Sequence, residues 1–273
     1  MWHFYLYDEP AAKALNVKVL AGYLREKFPG SEVVVRETFH RFCGRQGKGE
    51  FPFLSLEGWA RLWAGAKVLR LSEPVRRREP LPGEITYEQR RLAQPERGTW
   101  GLLYDGMWLQ AAFRELLPPR ERRLRDVHLI FTAQLLGTYD EDDRRYHARV
   151  IVAGVPHLIS TTGLVEAPAK PREYYLLRQY AGLEGTEVGE EKWGHFCLLP
   201  DDPRTTEALK GYVLQAAFYQ LAGEAFCGDK HCRLYNAHWQ EELLRAQFTS
   251  PGELCARHER LLTALRRGLR REK

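Results

Sequence analysis

Residues 205–236 read TTEALKGYVLQAAFYQLAGEAFCGDKHCRLYN, and the rest of the chain is best placed around them. Thr205 or Thr206 is a suitable cap for a long helix running toward Phe226. Its apolar positions, Leu209, Tyr212, Val213, Ala216, Ala217 and Leu221, cover so wide a face that the helix is expected to lie buried at the centre of the molecule. Gly223 is the expected stop. Beyond it come two cysteines, Cys227 and Cys232, with four residues between them. After a further helical stretch the sequence LCARH (254–258) supplies Cys255 and, three positions on, His258.

Three of the five cysteines fall in these last 50 residues, and five is an odd number for a disulfide framework. Clustered cysteines beside a histidine point instead to a metal. Three thiolates and one imidazole make a closed tetrahedral shell of the kind that holds structural zinc. One structural zinc ion on Cys227, Cys232, Cys255 and His258 is therefore expected. His231, adjacent to Cys232, is the nearest competing ligand. His195 and Cys197 make a second His-x-Cys pair, read as a core cysteine beside a surface histidine.

The layout resembles the archaemetzincins, zinc metallopeptidases of the metzincin clan. Their active-site helix carries HExxHxxGxxHC, a CxMxFS-like segment follows closely, and an FCxxC pair comes later. With Cys227 set on the last cysteine of that motif, the glycine falls on Gly223. The short segment falls on Cys232 to Asn236, and the late pair on Cys255 and His258, with His replacing the final Cys. The resemblance is specific over 205–262, weaker over 127–180, and topological before that. It implies a metzincin-like α+β fold: a mixed, twisted sheet with an edge strand, a long central active-site-type helix, and a zinc-stapled helical C-terminal part. In this register the three catalytic zinc histidines fall on Ala216, Gln220 and Phe226, and the general-base glutamate on Ala217. Imidazoles at i and i+4 share a helix face and the glutamate deprotonates zinc-bound water; alanine and phenylalanine do neither. No two of the nine histidines are spaced i, i+4. Peptidase chemistry is expected to be absent, and the cleft to serve as a binding or regulatory surface.

Upstream, HFYLY (3–7), a helix from Asn16 to about Phe28, and SEVVVR (31–36) form a β-α-β opening, which suggests parallel strands. Helices are expected over 55–70 and 106–117, and strands over 127–132, 146–152 (alternating, like an edge strand) and 157–161. Four prolines in 74–97 suggest an exposed insertion or a short hairpin around Ile85-Thr86-Tyr87. The carboxylates 140–143 read as a solvated turn, since they lack calcium-loop spacing. The whole chain, 1–273, is read as one domain, with a mixed α/β part to 203 and a helical zinc-binding part from 204.

Residues 161–175 crowd many functional groups into a proline-interrupted loop. They define a candidate pocket of His157, Thr161, Thr162, Glu166, Lys170, Arg172 and Tyr174, with Ser160 and Tyr175 beside it. Hydrolase-type chemistry in this pocket is the alternative function. The charge balance, 41 basic against 36 acidic residues, is mild. Residues 257–273 carry seven Lys or Arg against two Glu, and Arg76-Arg77-Arg78 form a second basic knot. No recognition motif accompanies either, so nucleic acid is not the expected partner. An extended peptide or protein ligand is. Apolar runs fall short of the ~20 residues of a membrane span. The N-terminus reads as a strand rather than a signal peptide, so the expected setting is cytoplasmic, with no membrane partner.

Overall fold

Alternation in HFYLY sends Phe4 and Leu6 to one side of a sheet and Tyr5 and Tyr7 to the other, and both sides are covered. A computed structural model describes residues 1–45, 54–96, 101–184 and 193–271. Strand β1 (His3–Tyr7) is followed by α1 (Val17–Lys27), which starts where the Asn16 side chain accepts the Val19 N–H. Val17, Leu20, Ala21 and Leu24 bury one stripe of this helix, and the chain returns as β2 (Glu32–Arg36), parallel to β1.

Helices α2 (Phe39–Arg45), α3 (Leu56–Gly65) and α4 (Pro82–Ala93), strand β3 (Leu103–Asp105) and helix α5 (Gly106–Leu116) follow. Strand β4 (Asp126–Thr132), buried along its length, pairs with β1 on the side away from β2. Next come the hairpin β5 (Leu135–Asp140) and β6 (Arg145–Arg149), then β7 (Ile151–Val152) and β8 (His157–Ser160). The main sheet has the order β2-β1-β4-β8-β7, parallel except for β7 at its edge; β3, β5 and β6 make a smaller mixed sheet. Helices α6 (Thr161–Glu166), α7 (Arg172–Glu184), α8 (Thr205–Ala222), α9 (Gln240–Leu244) and α10 (Ala256–Arg271) follow, with a 3-10 turn at Pro119–Glu121 and a π-helical turn at Arg245–Thr249.

Two cores result, one on each face of the main sheet. The first joins α1 and α8 to Leu6, Leu129 and Ile159; the second joins α2 to α5 to Tyr7, Ile130 and Leu158. The architecture is α+β with mixed sheets, as expected. Among the described residues no helix is long and apolar enough to cross a membrane.

The structure corrects several local expectations. Residues 82–93 form a helix, not a hairpin: Pro82 occupies the first turn, where its missing N–H costs nothing, and the Glu84 side chain accepts the Leu81 N–H. Ile85, Glu88 and Leu92, spaced for one helix face, are buried. Strand β5 was not expected. The single strand expected over 146–152 is two, because β6 pairs with β5 whereas β7 pairs with β8. Helix α3 stops at Gly65. Helix α8 has Arg204 as its N-cap, and the Thr206 hydroxyl instead ties the helix to the Ala14 carbonyl. Gly223 ends α8 in the left-handed region (φ 73°), a conformation a side chain disfavours.

Candidate metal centre and neighbouring groove

The chain leaving Gly223 closes a tight loop. The Cys227 N–H donates to the Leu234 carbonyl (2.8 Å), the Cys232 N–H to Asp229 (3.0 Å), and the Asp229 N–H to the Cys227 sulfur (3.3 Å). These bonds set Cys227 and Cys232 on one side of the loop. Cys255 immediately precedes α10, and its carbonyl accepts the Glu259 N–H. A residue three positions on therefore shares its face, which brings His258 over Cys255.

The four donor atoms lie within 4.8 Å of one another. Cys227 Sγ is 3.8 Å from Cys255 Sγ, and His258 Nδ1 is 3.8 Å from Cys232 Sγ and 3.2 Å from Cys255 Sγ. Tetrahedral zinc, with bonds of about 2.3 Å to sulfur and about 2.0 Å to nitrogen, would place sulfurs about 3.8 Å apart and sulfur and nitrogen about 3.5 Å apart. The donors fit such an ion. Burial raises the Cys227 thiol and pushes Cys232 up to about 12, so in the absence of a cation these thiols stay protonated. A bound cation reverses that preference.

His258 is fully buried, its ring held edge-on by Phe218 (5.6 Å between centroids). Its Nε2 lies 3.7 Å from a Glu224 carboxylate oxygen and makes no hydrogen bond. Metal-bound histidines commonly direct their second nitrogen toward a carboxylate, and Glu224 stands on that side. His231 is exposed and outside the cluster, so it does not compete. Cys197 is buried with its thiol on the Trp193 carbonyl, and His195 is exposed, as the core-and-surface reading expects.

The stretch before Gly223 has no ligand chemistry. Ala216 and Ala217 are fully buried in the first core. Gln220 turns to the start of β4, where its Nε2 donates to the carbonyls of Leu124 and Asp126 (2.9 Å each). Its Oε1 meets His157 Nε2 at 3.1 Å. Phe226 is half exposed.

Phe226 borders an open groove. Residues 147–151 of β6 and β7 form one wall, Tyr212 and Gln215 of α8 the floor, and Tyr235 to His238 the other wall. Gly163 of α6 allows close packing behind the first wall, since a Cβ there would collide with the Arg149 carbonyl. Gln215 and His238 carried no sequence signal, because no spacing links α8 to the stretch that forms the other wall.

The candidate pocket of seven residues divides. His157 is buried on β8, accepting the Gly154 N–H on Nδ1 and meeting Gln220 through Nε2. Thr162 donates to the Ala133 carbonyl (2.6 Å), Ser160 to Gln134, and Thr161 lies 3.4 Å from the Thr132 carbonyl. These hydroxyls fasten α6 to the end of β4. Glu166, Lys170 and Tyr174 do converge. Lys170, fully buried, donates to the Val165 carbonyl (2.6 Å), approaches Glu166 at 3.5 Å and lies under the Tyr174 ring. Burial lowers its pKa, against the pull of Glu166. Arg172 is exposed. The acidic turn is as expected: Asp140 accepts the N–H groups of Asp142 and Asp143. Asp140, Asp143 and His147 also lie close enough to share a cation, but the Asp143–His147 contact (2.8 Å) already occupies two of them.

Neither the curated proteins nor the solved structures yield a match to this chain. Residues 1–265 match the model of a family described as "Probable metallopeptidase family (DUF6775)". That span includes both cores, the groove and all four clustered donors, and the chain belongs to that metallopeptidase family.

Proposed function

We propose that this protein keeps one structural zinc on Cys227, Cys232, Cys255 and His258, and that its groove holds an extended peptide without cleaving it. The observation that carries this reading is the contrast across Gly223. Four donors on the C-terminal side fill a zinc tetrahedron and leave no position for a reactive water. On the N-terminal side, where the archaemetzincin pattern would put two catalytic ligands and the general base, stand Ala216, Ala217 and Gln220, and the third ligand position just beyond the glycine is Phe226. The two alanines are core and Gln220 is spent on backbone carbonyls. The family match supports a metallopeptidase-type scaffold, and the narrower archaemetzincin likeness rests on the residue pattern alone.

Peptide binding follows from the groove wall. Strand β7 lies at the edge of the main sheet, and a sheet edge offers backbone groups to an extended partner. Hydrolase-type chemistry around Glu166, Tyr174 and His157 is less well supported, because His157 and Lys170 are each committed to structural bonds.

Metal analysis of the purified chain tests the proposal. One zinc per chain is expected, lost in Cys232→Ser, with no casein hydrolysis that a chelator abolishes. Two zinc ions per chain, or chelator-sensitive hydrolysis, would overturn it.

A further inference from the structure

On the other face of the main sheet lies a second concavity that the metal centre and groove do not use. From β1 the chain reaches β2 through α1, which packs in the first core. From β2 it crosses back through α2 to α5, which pack in the second core, and enters β4 on the opposite side of β1. The connections leaving the carboxyl ends of β1 and β4 also part toward opposite faces, since α1 packs in the first core whereas Leu136 of β5, which follows β4, packs in the second. In open α/β sheets, ligands bind in the crevice left at such a point.

The crevice here is a cavity that opens to solvent on one side. Asp8 and Glu9 follow β1 into it, Thr132 ends β4 at its floor, and Thr38 and Arg91 enter from the helical layer. Its apolar walls are rings: Phe39, Trp59, Trp63 and Phe113, crossed mostly edge to face.

Two polar groups on this lining are buried and unpartnered among the described residues. The Arg91 side chain is 9% exposed; its Nε donates to Glu88 (2.7 Å) and its guanidinium lies 4.4 Å from the Trp63 ring centre. Its Nη2 makes no hydrogen bond. The Thr38 hydroxyl makes none either, and Thr38 is 6% exposed. Folded proteins rarely bury such groups unsatisfied, and one explanation is a partner that binds there. By contrast, Glu9 already accepts the N–H groups of Ala11 and Ala133.

We propose that this crevice binds a small, neutral, planar ring bearing a carbonyl or ring-nitrogen acceptor, which receives the free hydrogens of Arg91 and Thr38 while the aromatic walls enclose the ring. The charges around it select against ions. An anion would meet the Asp8 carboxylate on the lining, and the one guanidinium, Arg91, is already paired with the buried Glu88. A cation has no lone pair to offer Arg91. Burial raises Glu9 and lowers His40 to about 4, so both lining groups are held toward their neutral forms. The site goes beyond the proposed peptide groove and stands or falls separately from it.

Three isosteric probes test the assignment on the full chain: benzamide, benzoate and benzamidine, titrated by ligand-detected NMR. Benzamide is expected to bind saturably, and the two ions about ten-fold more weakly or not at all. Removing Arg91 would strand the buried Glu88, so Thr38→Val serves as the isosteric probe of the donor pair. Ala11→Leu, at the cavity lining, serves as a block. Both substitutions should weaken benzamide about five-fold or more, with circular dichroism unchanged. Binding of all three probes alike, absence of benzamide binding, or benzamide binding untouched by both substitutions would each overturn the proposal.

Discussion

One glycine turn separates two stretches that obey different rules. From Cys227 to His258, residue type is set by bonding: three sulfurs and a nitrogen must meet at one point, and only a few side chains can take part. From Ala216 to Gln220, residue type is set by volume and by the carbonyls of a neighbouring strand. The comparison teaches that the four-donor cluster and the helix feeding it obey different rules although they touch. The loop 227–235 is shaped by its own backbone bonds, and α8 braces it through Glu207 on Arg233, Gln215 on the Tyr235 carbonyl and Phe218 against the His258 ring.

The largest expected effect comes from breaking the bonded side. Cys232→Ser removes a fully buried ligand, and the chain should lose its zinc. Because metal binding to such sets is coupled to folding, the loss should also lower the melting temperature, by about 10 °C. Metal analysis and a thermal melt check both. A variant that lost zinc with no change in melting would mean that the cluster is incidental to the fold.

The packed side should fail in the opposite way. Ala216→His inserts an imidazole where a methyl group is fully buried, at an expected cost of about 3 kcal/mol and with no gain in metal. The midpoint of urea unfolding reads the cost. If Ala216→His, Ala217→Glu and Gln220→His together took up a second zinc, the helix would be a latent catalytic site and the contrast would collapse. Gln220→Ala should cost less, about 2 kcal/mol, by stripping a donor from the carbonyls of Leu124 and Asp126 and an acceptor from His157.

The same division explains what could be read from the sequence. The clustering of Cys227, Cys232, Cys255 and His258 was legible because metal chemistry restricts the residue types and the loop and helix fix the spacing. Helix α1 was legible from the Asn16 cap and an apolar stripe. Helix α4 was not, because Pro82 marks a helix start as readily as a break, and only the burial of Ile85 and Leu92 decides between them. Strand β5 was hidden by Gly137, whose missing side chain leaves room for Leu103 and the His147 carbonyl. The groove and the crevice could not be found by spacing at all: each forms where segments distant in sequence meet across the sheet. The residues of the pocket expected around 157–174 divide for a related reason. Its hydroxyls lie close in sequence, but their partners are the carbonyls of Thr132, Ala133 and Gln134.

The smallest effect is a pH dependence that places His157 on the packed side. Its Nδ1 accepts the Gly154 N–H, so Nε2 carries the proton that faces Gln220 Oε1. Burial lowers its pKa to about 4, against about 6.5 for an exposed histidine. Between those values the unfolded chain binds a proton that the folded chain refuses, so stability rises with pH through that window. It is complete above about pH 6.5 and declines as pH falls toward 4. At pH 5.5 this one group should cost about 1.4 kcal/mol relative to neutral pH. His128, lowered to about 4 in the same way, adds to the slope. His157→Gln keeps an amide donor and cannot titrate, so its unfolding free energy, measured by urea at pH 7.5 and 5.5, should fall by that much less than the parent's. An unchanged slope would mean that His157 opens to solvent before it protonates, and that this corner of α8 is looser than the core it borders.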